Sequence, residues 1–343
     1  MATLRTHNTV PTIFRRVSLP IKHDDALAYL SSLVVAFLIA VVSLTGLIFG
    51  SAALYGVDPK VATGVTSSTA GLLVPGFLAQ DVFNLVVALP ILLGSLWLAR
   101  RGSLIGLLLW PGTLFYLLYT YAHYLIGAPF NPMFLAYVAL VALAAFTAIG
   151  LTASIDGEQV RRRFAGGVPA RIVGGILVGL ALLTVAQDGG GSLSALASGT
   201  HVDPGAHSIW IVDLTVEVPA MLLGGVLLWR RQALGYVVAA GLLLQFGLTP
   251  LGLAAIMATH AVLTATRIES GTIAGVLVFS AIAFAPLVYF VRAAGVGRRA
   301  AGAIDWSGEV DGVACTACDD RTYDPMAPRA MDEPNRPIRR QAG

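Results

Sequence analysis

Charge is what this sequence has least of. Asp, Glu, Lys and Arg make up 12% of its 343 residues, where soluble domains average roughly 25%. Together with a hydrophobic fraction of 56% and a mean hydropathy of +0.78, that scarcity excludes an ordinary soluble domain. Cysteine is almost missing. Cys315 and Cys318 are the only two, so no disulfide framework is available. The six histidines are too few and too scattered for a two-haem membrane cytochrome. No Walker A loop, no GxGxxG opening a soluble helix and no HExxH occurs. The net charge of +3 does not mark a nucleic-acid binder, because the basic residues sit at the ends of apolar segments. Residues 1–25 carry Arg5, Arg15, Arg16, Lys22 and His23 with no apolar core before Ala26. No cleavable leader is therefore expected, and the first span reads as an uncleaved anchor.

What is present is a succession of long apolar runs. They read as spans over residues 26–51, about 77–99, 104–126, 133–154, 172–186, 208–229, 233–257 and 272–291. The predicted fold is an all-α membrane protein of about eight transmembrane helices. Its segments are a cytoplasmic N-terminal stretch (1–25), a first four-helix half (26–154), a basic cytoplasmic loop (155–171), a second four-helix half (172–292) and a disordered cytoplasmic tail (293–343). Residues 187–207, rich in Gly and Ser, read as a loop. Of the 22 Lys and Arg residues, only Lys60 and Arg267 fall in loops on one side. The positive-inside rule then puts both termini in the cytoplasm and requires an even number of spans in the plasma (inner) membrane.

The chain carries an internal echo. Asp81 and Asn84 precede Pro90, Leu92-Leu93-Gly94 and Arg100-Arg101; Asp213 and Glu217 precede Pro219, Leu222-Leu223-Gly224 and Arg230-Arg231. Both stretches run in the same direction. This is compatible with two similar four-helix halves in parallel orientation. The shared pattern covers about one helix and the next loop, which does not establish a duplication.

Polar residues within the spans are the candidate site. A carboxylate at the bilayer centre costs roughly 2.5–3.5 kcal/mol, so such groups have partners or functions. Asp213 and Glu217 are four apart and share a helix face. Two like charges so close in a low dielectric do not both ionise readily, so at least one is expected to hold a proton. At about 1.5 Å per residue, Glu217 lies roughly 20 Å from Arg230, and Gln245 roughly 21 Å from Arg231. Tyr116, Tyr119 and His123 lie at roughly 22, 27 and 33 Å from Arg101, and Asp81 about 28 Å from Arg100. Polar groups of spans two, three, six and seven thus share the outer half, where a cavity is expected. Asp213, Glu217, Asp81, Asn84, Tyr119 and Gln245 are the candidate proton-, ion- or substrate-binding residues. Pro90 and Pro219 are candidate hinges, expected to free the carbonyls of Val86 and Thr215. Asp81 and His123 also fit a headgroup-level position, and the Tyr116–Tyr119–His123 stripe fits helix packing and interfacial anchoring.

Cys315-Thr-Ala-Cys318 is an isolated CxxC, half a zinc site or a redox pair; two copies in a dimer would supply four sulfurs. No cofactor is predicted. From Arg100 to Gly112, on through Tyr116, Tyr119, Tyr121, Tyr124 and Phe130-Asn131, and in the paired Asp…Pro…Leu-Leu-Gly…Arg-Arg stretches, the chain resembles a group of prokaryotic integral membrane proteins of unassigned function. The resemblance implies a polytopic plasma-membrane protein and carries over no substrate, cofactor or catalytic residue. Three functions are open: a small-solute or ion transporter or permease with no enzymatic activity, a membrane enzyme acting on a lipid or quinone, and an accessory subunit. The expected partners are the lipid bilayer and a small solute or ion, with no nucleic acid; a homodimer or a larger complex is compatible.

Overall fold

Among the residues described by the computed structural model, eight helices are long and apolar enough to cross a membrane. In chain order these spans are Ala26–Phe49, Gly76–Arg100, Leu104–Gly127, Phe134–Ser154, Ala170–Ser198, Ala206–Trp229, Ala233–Val262 and Gly271–Gly295. The structure describes residues 19–21, 26–55, 70–128, 130–200, 202, 204–265 and 270–307. Cys315, Cys318 and most of the two terminal segments lie outside them. An all-helical build is what the bilayer demands, since a helix satisfies its backbone N–H and C=O groups internally where water is absent.

The third span is the axis of the bundle: 78% of its most apolar stretch is buried, followed by 67% for the seventh, and the eighth is the least buried at 28%. These two central helices cross backbone to backbone. A methyl group built on Gly112 would lie 2.2 Å from the Cα of Gly241, so only glycine permits this approach. The fifth and sixth spans meet in the same way at Gly174 and Gly225, where a Cβ on Gly174 would fall 2.6 Å from the Gly225 carbonyl oxygen. Polar bonds tie the outer helices to the axis. Trp110 Nε1 donates to Ser32 Oγ of the first span at 2.8 Å, and Ser280 of the eighth donates to the Gly247 carbonyl at 2.7 Å. Leu27, Leu30, Phe37, Phe146 and Ile149 are exposed on the outside of the bundle, the side that meets lipid tails.

Four features depart from the sequence expectation. The fifth span does not end near Ala186; it continues as helix to Ser198, so most of the expected 187–207 loop is helical. Glycines that weaken a helix in water are tolerated where no water competes for the backbone. The 155–171 loop contains a helix, Gly157–Phe164, whose start is capped by Asp156 accepting from the Glu158 and Gln159 N–H groups. Val160 and Phe164 of that helix are buried, and Arg161 and Arg162 pair with Glu158. The final helix runs past Arg292, where the tail was expected to begin, to Ser307. Its Arg- and Ala-rich composition there favours helix.

The fourth departure concerns the prolines. Each sits second in a helical segment that directly follows a wider π-helical turn, Asn84–Ala88 before Pro90 and Asp213–Glu217 before Pro219. The Leu89 N–H reaches back five residues to the Asn84 carbonyl, and the Val218 N–H does the same to Asp213. A wider turn relieves the clash between a proline ring and the carbonyl four residues earlier, where a simple kink was expected. A third π turn, Val185–Gly189 in the fifth span, has no proline behind it.

Candidate functional site

The three π turns carry the polar cargo of the bundle: Asn84 in the first, Asp188 in the second, Asp213 and Glu217 in the third. An inserted residue redirects side chains locally, which is why such turns recur at functional sites. The turns of the fifth and sixth spans pack against each other. Asp188 and Asp213 lie within hydrogen-bonding reach, and Glu217 interacts with both.

Neighbouring helices hold this acid cluster in place. The Tyr119 hydroxyl donates to Asp213 Oδ1 at 2.7 Å, and Gln245 Nε2 donates to Glu217 Oε1 at 2.8 Å and to Thr249 Oγ1 at 3.2 Å. Glu217 is 2% exposed, Asp213 8% and Gln245 fully buried, so water does not satisfy them. Acceptors outnumber donors. Asp188 Oδ2 and Gln245 Oε1 are buried without a hydrogen-bond partner. A buried acceptor left unpaired is costly, so a cluster of this composition attracts protons or cationic groups. It is not shaped as a metal cage: among the described residues no three or more His, Cys, Asp and Glu side chains are placed to hold a metal ion.

Against Asp213 lies a cavity of about 440 Å³ between the second, third, sixth and seventh spans. Gln80, Tyr116, Tyr119, His123, Tyr124 and Asp213 supply its polar wall; Phe77, Ile209 and Leu253 are among the apolar residues. It reaches the helix ends at Gly127 and Ala206, remote from Arg100 and Arg230, and among the described residues no Lys or Arg lines it. The size and the mostly apolar lining with a few convergent polar groups suit a small molecule. Glu217 and Gln245 stand behind the wall, reached through Asp213 and Thr249.

Of the residues singled out from sequence, Asp213, Glu217, Tyr119 and Gln245 form this one assembly. Asp81 and Asn84 belong to a second network. Tyr124 donates to Asp81 Oδ1 at 3.0 Å, Gln80 to Asn84 Oδ1 at 3.0 Å and to the Tyr116 hydroxyl at 2.9 Å, and Asn84 to the Tyr121 hydroxyl at 3.4 Å. Asp81 is fully buried between helices. Tyr116, Tyr119 and His123 all face the cavity, so the stripe is part of its wall and more than packing. His123 stands edge-on to Tyr119 with ring centroids 4.5 Å apart, and its Nδ1 has no hydrogen-bond partner. Asp188 is the member that sequence reasoning missed. Its signal was a Gln-Asp pair placed directly after an apolar run.

Eight apolar spans around buried polar side chains define the chain as an integral membrane protein. No protein-family model, curated protein or solved structure matches it.

Proposed function

We propose that the protein is a proton-coupled transporter of small organic cations. One observation carries this reading: an acceptor-rich acid cluster, Asp188–Asp213–Glu217, opens through Asp213 onto an aromatic cavity that no Lys or Arg lines among the described residues. Phe77, Tyr116, Tyr119 and Tyr124 offer rings, whose faces attract a cation, and Asp213 offers the counter-charge. A hydrogen bond between two carboxyl groups needs a proton, so a cation arriving at Asp213 displaces one. Solute and proton then compete for the same oxygens, which is the minimal requirement for coupling their movements. The π turns before Pro90 and Pro219 are the points at which the second and sixth spans would bend. The distribution of basic residues supports a plasma-membrane protein with both termini in the cytoplasm, and hence a cavity facing outward.

The test is charge movement in proteoliposomes on a solid-supported membrane. Concentration jumps of a graded alkylammonium series should give a saturable current for the wild type. Asp213→Asn/Glu217→Gln should abolish it. Equal currents from both would sink the proposal. The network around Asp81, in which Tyr121 and Tyr124 of the third span bond Asn84 and Asp81 of the second, is what interhelical glue looks like. If every solute is silent and the protein copurifies with a stoichiometric partner, the accessory-subunit reading takes precedence.

A further inference from the structure

The second large cavity of the bundle lies at the opposite end of the spans, among their basic ends. Its volume is about 620 Å³, and Arg161, Arg162, Arg171, Arg231 and Tyr236 line it together with the Gly166–Ala170 turn. We infer that this cavity binds a phosphate group, presented by the headgroup of an anionic phospholipid.

Four observations converge. First, the charge is lopsided: Glu158 pairs with Arg161 and Arg162, and no carboxylate among the described residues pairs with the Arg171 or Arg231 guanidinium group. Second, the helix Ala170–Thr184 starts at the cavity with no side-chain cap on Pro169. Ala170 already bonds the Val168 carbonyl and Ile172 the Pro169 carbonyl, so among the described residues the Arg171 N–H is the open donor of that first turn. Third, Tyr236 is 4% exposed and lines the cavity, yet its hydroxyl has no partner among the described residues. That hydroxyl keeps solvent access and can donate to a ligand in the cavity.

The fourth observation is backbone strain. The second span closes with Gly102 in the left-handed region at φ 76°, where the Gly102 N–H bonds the Ala99 carbonyl and the Ser103 N–H bonds Leu98. The sixth span closes with the same pair of bonds, Arg231 to Leu228 and Gln232 to Leu227, but the left-handed residue is Arg231, at φ 56°. A non-glycine residue there is strained by its own Cβ, and a persistent strain of this kind marks a position held for function. The strained turn carries the Arg231 side chain into the cavity wall. Arg171 begins the fifth span and Arg231 follows the sixth, which sets the cavity at the level of lipid headgroups. Basic pockets between membrane helices at that level suit anionic lipids.

The experiment is calorimetric titration of the full chain in a nonionic detergent with short-chain phosphatidylglycerol, short-chain phosphatidylcholine and inorganic phosphate. Phosphatidylglycerol should bind saturably, at least tenfold more tightly than phosphatidylcholine. Arg171→Gln/Arg231→Gln should weaken it at least tenfold. Arg230→Gln removes the same charge one residue outside the cavity and should leave binding unchanged. Arg231→Gly should raise the unfolding midpoint while losing affinity, which separates a functional arginine from a structural one and shows that the loss is not misfolding. Phosphate competing with phosphatidylglycerol, with the same arginine dependence, would identify the phosphate group itself as the determinant. Binding of phosphatidylglycerol alone would identify the lipid headgroup. Equal binding of the two lipids, equal effects of Arg230→Gln and Arg231→Gln, or no binding of either anion would overturn the inference.

Discussion

Replacing Gly112 with alanine should damage the bundle and the acid cluster together. The new methyl would sit 2.2 Å from the Gly241 Cα, and the reciprocal methyl on Gly241 would sit 2.7 Å from the Gly112 Cα. Carbon atoms in contact stand about 3.5–4.0 Å apart, so the third and seventh spans must part by roughly 1–1.5 Å. Overpacking of this kind costs about 1–3 kcal/mol. Tyr119 is two turns beyond Gly112, and Gln245 one turn beyond Gly241. Their bonds to Asp213 and Glu217, at 2.7 and 2.8 Å, stretch beyond hydrogen-bond length if the separation is transmitted to them. Thermal unfolding in detergent should show both single variants destabilised. The Gly112→Ala/Gly241→Ala pair should cost less than the sum, because the first methyl has already parted the helices. Gly94→Ala is the control, since nothing lies within 4 Å of its new Cβ. If Gly112→Ala and Gly241→Ala behave like Gly94→Ala, the close crossing at the centre of the fold is wrong.

Glu217→Gln keeps an acceptor for Gln245 and should fold normally, whereas Glu217→Ala strands the buried amide and should lose about 1–3 kcal/mol in the same assay. Trp110→Phe deletes the indole bond to Ser32. It should cost more than the about 0.6 kcal/mol of an average membrane hydrogen bond, because Trp110 is fully buried and the smaller ring leaves a cavity, as read in a chemical unfolding titration. Asp156→Ala removes the cap of the Gly157–Phe164 helix. Local stability should fall by about 1 kcal/mol, read as faster amide exchange at Glu158 and Gln159 with the spans unaffected. Tyr121→Phe should lower the unfolding midpoint by removing the acceptor of the Asn84 bond while alkylammonium currents persist; their loss would join that network to the site.

Much of the fold is legible in the sequence because a membrane helix is a ruler. Apolar run lengths locate seven of the eight spans closely, and counting at a fixed rise sets Glu217 and Gln245 at nearly the same depth. The structure then shows them bonded. The count cannot say which way a side chain turns about its helix. That is why Tyr116 and His123 read as packing and anchoring residues although both line the cavity. Asp188 was lost for another reason. Gly189, Gly190 and Gly191 look like a loop on propensities measured in water, where glycine costs about 1 kcal/mol in a helix. In the bilayer the unpaired backbone of a loop costs more, so the helix persists and carries Asp188 to Asp213. The π turns have no sequence signature beyond a proline that follows two of them.

The most direct test of the acid cluster is the unfolding midpoint of the wild type and of Asp213→Asn/Glu217→Gln, each in acidic and alkaline buffer, with and without alkylammonium ions. In alkaline buffer lacking a cation that fits, the wild-type carboxylates repel one another in a medium of low dielectric. The expected result is a wild-type midpoint that falls from acid to alkali and is restored by the bound ammonium, as binding to the folded state requires. The variant, left with Asp188 alone, should show a shallower dependence that no ammonium ion shifts. Parallel curves for the two proteins, in every buffer and with every ion, would contradict a proton- and cation-binding role for Asp213 and Glu217.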